Sequence, residues 1–168
     1  ENRGGGASVA LAHGDVLVTG GRTLSALASA EMFGLSSARY ARASDLPSAR
    51  ADHVATLLDD GTVRLTGGSS GQASNGETAF VLSTIRFDPP SGAFATLVPT
   101  TSPRVGHTAT RLLDGRVLLV GSTAFDATSA SGCGACKVAD LVDPGAGAPT
   151  EVVPLSYARN GHTATLLD

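Results

Sequence analysis

Four stretches of this chain align without a gap: RGGGASVALAHGDVLVTGG from Arg3, RADHVATLLDDGTVRLTGG from Arg50, RVGHTATRLLDGRVLLVGS from Arg104 and RNGHTATLLD from Arg159. Successive starts lie 47, 54 and 55 residues apart. A period of that size belongs to an architecture in which each unit buries its apolar face against the next. Solenoid repeats, at roughly 20 to 45 residues, fit it less well.

The internal pattern of each repeat reads as strands. Gly14, Gly61 and Gly115 each separate two short apolar runs, such as Val54 to Leu58 and Val63 to Thr66, and Asp60-Gly61 and Asp114-Gly115 are hairpin dipeptides whose glycine supplies φ > 0. A small-residue pair ends each second run: Gly20-Gly21, Gly67-Gly68 and Gly121-Ser122. The missing side chains permit close backbone approach between neighbouring sheets. Third strands are expected over 30–33, 83–87 and 138–142, the latter two closing on Asp88-Pro89 and Asp143-Pro144, and fourth strands near 40–43, 93–98 and 149–153. The fold expected is therefore all-β: a partial β-propeller of four-stranded antiparallel blades over 3–49, 50–103 and 104–158, with 159–168 as the first strand of a further blade, all in one domain.

Composition agrees. Of 168 residues 42% are hydrophobic, enough for a packed core, only 16% are charged, and 21 are glycine, which suits many short elements joined by tight turns. A net charge of −3 with no Lys/Arg run offers no footprint for nucleic acid or anionic lipid. No stretch is apolar for the roughly 18 residues a membrane span needs.

Arg-x-x-His, strand, Asp-Gly, strand, Gly-Gly, strand and Asp-Pro in this order resemble bacterial Kelch repeats over essentially the whole chain. The resemblance implies loops between second and third strands as contact surfaces, here 69–78 and 123–135, with Gln72, Asn75, Phe125 and Asp126 as candidate binding residues. Kelch repeats carry an outer-strand aromatic; the chain has no Trp, and Phe94 and Tyr40 stand nearest to that place. Gly6 replaces the repeat histidine in the first segment, which is therefore expected to be the least regular blade. About three blades do not close a ring of the usual four to eight, so further blades of a longer propeller, or further copies of the chain, are expected to cover the open faces.

Three groups of residues could carry chemistry. His53, His107 and His162 recur at one repeat position with Arg50, Arg104 and Arg159 three residues earlier; repetition in every blade is what a structural role predicts, namely satisfying buried carbonyls between blades, so neither a metal site nor an anion ring is assigned. Cys133 and Cys136 form Cys-Gly-Ala-Cys in a glycine-rich loop without the βαβ context of a redox motif or a second pair for zinc; a local disulfide is expected, and with it an oxidising, extracellular or cell-surface location. No nucleophile elbow, phosphate loop or catalytic triad is present.

The functional expectation is a non-enzymatic scaffold that binds protein or carbohydrate through its loops, without a cofactor. Two alternatives stand beside it. One is part of a galactose-oxidase-like copper enzyme, which the repeat pattern also resembles; its site needs tyrosines and histidines, and here only Tyr40 and Tyr157 are available, the latter followed by Ala158. The other is a structural subunit of a surface assembly or filament.

Overall fold

The computed structural model describes residues 3–72, 74, 76–100, 102–122, 137–145 and 149–167. They form three four-stranded antiparallel sheets and one hairpin. The first sheet is β1 (Ala7–Ala10), β2 (Val16–Thr19), β3 (Ala30–Gly34) and β4 (Arg39–Arg42), in that order. The second contains β5 (Val54–Leu57), β6 (Val63–Thr66), β9 (Thr84–Asp88) and β10 (Ala93–Leu97), with a separate hairpin of β7 (Ser69–Gln72) and β8 (Thr78–Phe80) between β6 and β9. The third is β11 (Thr108–Arg111), β12 (Val117–Val120), β13 (Val138–Val142) and β14 (Pro149–Pro154). This is an open, partial β-propeller, and the expected fold class holds. Among the described residues no helix is long and apolar enough to cross a membrane.

The turn chemistry acts where the sequence places it. Gly14, Gly61 and Gly115 adopt φ of 97°, 79° and 85°, and the ladders they close run Val54↔Thr66 to Leu57↔Val63 and Thr108↔Val120 to Arg111↔Val117. The glycine-rich start does not break β1, which pairs with β2 from Ala7↔Thr19 to Ala10↔Val16. The outer aromatics also find a use: Phe94 packs on Phe87 at 4.7 Å between ring centroids, and Tyr40 on Phe33 at 5.0 Å.

Because side chains alternate along a strand, each sheet shows one face forward and one back. Val63, Leu65, Ile85 and Phe87 of the second sheet meet Leu11, Leu17, Ala30 and Leu46 of the first in one buried cluster. Leu58 meets Val117, Leu119 and Val142 of the third sheet in another. Fully burying each such side chain contributes roughly 1.5–3 kcal/mol, so these two seams supply most of the cohesion between sheets. The first strands lie side by side, with β5 between β1 and β11.

Two expectations change in detail. The stretch 69–78, read as a loop, holds β7 and the first residue of β8, a hairpin anchored by paired hydrogen bonds between Ala51 and Ser69 at 2.9 Å each. Residues 159–167 follow the third sheet without a paired strand, although their first residues dock as the other repeats do.

Candidate functional site

The repeat motif builds the seams. Arg3, Arg50 and Arg104 each donate to the carbonyl of the glycine 17 residues on, Gly20, Gly67 and Gly121, at 3.1, 3.2 and 2.9 Å. Each donates again beside the third strand of its own sheet, to Ser29, Ser83 or Val138. The charge is handled differently in each sheet. Arg3 pairs with Glu31 at 2.7 Å and Arg104 with Asp140 at 3.0 Å, the latter pair fully buried. Arg50, equally buried, is held by the hydroxyls of Ser48 and Ser83, and burial lowers its pKa to about 10.

The histidines reach the other way, into the preceding sheet. Nε2 of His53 meets the Thr19 hydroxyl at 2.8 Å, that of His107 meets Thr66 at 2.9 Å, and that of His162 meets Thr108 at 3.0 Å. Thr19 and Thr66 end β2 and β6, whereas the corresponding end of β12 is Val120, whose register partner is Thr108. The hydroxyl has thus moved across one rung of the ladder while the contact persists. Burial, and then the charge of Arg50 or Arg104, pushes the pKa of His53 and His107 down to about 3. Both rings are therefore neutral at ordinary pH.

The first glycine of each pair receives this motif. Gly20, Gly67 and Gly121 lie at φ of 54°, 64° and 76°, and a Cβ on any of them would run into the carbonyl oxygen of Arg50, Arg104 or Arg159 and come within 2.9 Å of the following histidine's Cε1. The next residue, Gly21, Gly68 or Ser122, donates its N–H to that same carbonyl at 2.9, 2.8 and 3.1 Å. The arginines and glycines thus take part in the packing of the seams. The histidines do so too, but their partners are threonine hydroxyls rather than carbonyls.

One departure stands at this end of the seams. The third motif position is Gly5, Gly106 and Gly161 at φ of 64°, 67° and 56°, but in the second repeat it is Asp52 at φ 56°, a conformation that costs a non-glycine residue on the order of 1 kcal/mol. Its carboxylate pairs with Arg22. Arg22 in turn lines a groove of about 520 Å³ between the 22–26 loop of the first sheet and the β7–β8 hairpin, with fully exposed Leu24 on one side and Ser69, Ser70, Gln72 and Thr78 on the other. Of the candidate binding residues, Gln72 belongs to this groove; Asn75, Phe125 and Asp126 lie outside the described residues, as do Cys133 and Cys136. Arg22, Leu24 and Asp52 were not singled out from sequence, though Asp52 standing where the other repeats have glycine is a readable signal.

Among the described residues no three His, Cys, Asp or Glu side chains converge so as to hold a metal ion. His53, His107 and His162 each have Nε2 committed to a threonine, and Nδ1 is buried with no partner among the described residues. The set does not fit a copper centre.

No family model and no curated protein matches the chain. Solved structures do. A fungal alcohol oxidase of the AA5 family, in complex with copper, superposes with a TM-score of 0.69 at 18% identity, over 90% of this chain and 34% of that one. YjhT superposes with a TM-score of 0.71 at 14% identity, over 95% of this chain and 52% of that one. The chain thus spans about a third and about half of the structures it matches. The flat expectation of a non-enzymatic protein is corrected by the first of these, because the same sheet arrangement forms part of an oxidase and gives no ground for setting catalysis aside. At these identities the likeness is one of fold alone.

Proposed function

We propose that this chain supplies part of the blade framework of a Kelch-type propeller enzyme, similar in build to galactose-oxidase-like copper enzymes, with the reactive centre held by residues other than those described. The observation that carries this reading is the superposition of 90% of the chain on an alcohol oxidase in complex with copper. The described residues do not fit the metal, so their contribution is positional. Buried arginines and neutral histidines fix each sheet against the next, and rigid seams present the loop face, where the Arg22–Gln72 groove offers polar contacts to a protein or carbohydrate partner. We further propose an oxidising, extracellular setting with Cys133 joined to Cys136.

The test is oxygen consumption and peroxide release by the full-length protein, loaded with copper, over a panel of primary alcohols and sugars. Alcohol-dependent peroxide formation is expected. A folded, copper-loaded protein inert across the panel overturns the reading. Thiol titration of the native protein tests the setting, with two reactive thiols refuting it.

A further inference from the structure

Two departures from the repeat meet at one groove. Between β6 and β9 the second sheet carries the β7–β8 hairpin, whereas the first sheet passes from β2 to β3 through residues 20–29 with only isolated pairs of Arg22, to Gly4 and to Ala26. At the motif position that is glycine in the other repeats stands Asp52, in the left-handed region at φ 56°. Backbone strain of this kind persists only where the surroundings over-determine it, and it clusters at ligand clamps. Here it sets a carboxylate on Arg22. Arg22 in turn lines the groove of about 520 Å³ that separates the 22–26 loop from the hairpin.

Both walls are held in place. Arg22 exchanges two backbone hydrogen bonds with Gly4, at 3.0 and 2.8 Å, and Ser69 exchanges two with Ala51 at 2.9 Å each. β7 has β8 along one edge; along the other only Ser69 is engaged among the described residues, so Ser70, Gly71 and Gln72 run on into the groove as an open strand edge. The side chains of Ser25, Gln72 and Thr78, all in the lining, make no hydrogen bond among the described residues. Arg22 is the one charged residue of the lining and is paired with Asp52, and Glu77, beside Thr78 in the chain, is itself engaged. An uncharged occupant is therefore favoured. No aromatic ring lines the groove, so a sugar would find no face to stack on. Uncommitted donors and acceptors beside an open strand edge are the complement of another peptide backbone. Leu24, fully exposed on the opposite rim, adds a contact for one aliphatic side chain.

We infer that this groove takes an extended, uncharged peptide segment of a partner protein, added as a strand along the open edge of β7 with an aliphatic side chain over Leu24. The inference rests on the groove's part as a contact surface in the proposed function, and not on the oxidase chemistry. Pairing with Ser70 to Gln72 needs about three residues, or ~10 Å of extended chain.

Titration of the full-length protein with an acetylated, amidated five-residue peptide of alternating threonine and valine tests it, beside the same peptide N-methylated at every residue and beside maltopentaose. The peptide is expected to bind and the N-methylated form to bind at least about tenfold more weakly, a difference of ~1.4 kcal/mol. Thr78 is exposed and its hydroxyl is uncommitted, so Thr78→Trp is expected to fold and, by filling the groove, to abolish binding. Leu24→Ser, at a fully exposed position, is a milder variant expected to weaken binding severalfold. Equal binding of the two peptides, or undiminished binding in folded Thr78→Trp, would overturn the assignment. Maltopentaose bound in place of the peptide overturns the assignment too, while leaving the groove a contact surface; neither ligand bound overturns both. A protein that binds the peptide and oxidises no alcohol loses the enzymatic reading alone.

Discussion

Replacing Gly67 by alanine tests the seam directly. The new Cβ would overlap the carbonyl oxygen of Arg104 and sit 2.8 Å from Cε1 of His107, and neither can retreat alone. The carbonyl is tied to Gly68 N at 2.8 Å, and His107 is tied to Thr66 at 2.9 Å. Alanine at φ 64° costs roughly 1–2 kcal/mol by itself. Loosening the two hydrogen bonds adds about 0.5–1.5 kcal/mol each, for a total of about 2–5 kcal/mol. Gly61→Ala is the matched control: its φ is 79°, but a Cβ there meets nothing within 4 Å, so only the backbone penalty of about 1–2 kcal/mol applies. Urea unfolding of the two variants at one temperature measures the difference. Against a total stability of ~5–15 kcal/mol for a domain, Gly67→Ala is expected to lower the midpoint far more than Gly61→Ala. Equal losses would show that the glycine is needed for its backbone angle alone, and the account of the seam would be wrong.

Three further outcomes follow from the same geometry. His53 and His107 have folded pKa values near 3 against 6.5 unfolded; the unfolded chain binds more protons between these values, so their contribution is complete above pH 6.5 and declines as pH falls toward 3. Urea midpoints across this window should drop with acidity, and His107→Gln should flatten the slope. Thr66→Val should cost about 1 kcal/mol by leaving His107 Nε2 unpaired, and adding Val54→Thr should restore most of it in a double-mutant cycle, since Thr108 opposite Val120 already serves His162 this way. Asp52→Gly relieves left-handed strain and gives up a half-exposed ion pair with Arg22 worth ~0–1 kcal/mol, so stability should change by less than about 1 kcal/mol and rise relative to wild type as salt is added.

The sheets were legible because their signals are local. Apolar alternation, the Asp-Gly turns and the Gly-Gly pairs each act within a few residues, and twelve strands emerged close to where Val63–Thr66 and its equivalents placed them. The β7–β8 hairpin was not, because Ser69-Ser70-Gly71-Gln72 carries no β-branched alternation and is held by Ala51, eighteen residues earlier. Seam partners lie beyond the reach of local signals: the arginines meet carbonyls 17 residues on, and the histidines choose hydroxyls 34 to 54 residues away.

The histidine clasps among the described residues share one direction. The receiving threonine and glycine, Thr19 and Gly20 or Thr66 and Gly67, precede in the chain the histidine ring and arginine carbonyl that meet them. During synthesis each socket is therefore made before its plug.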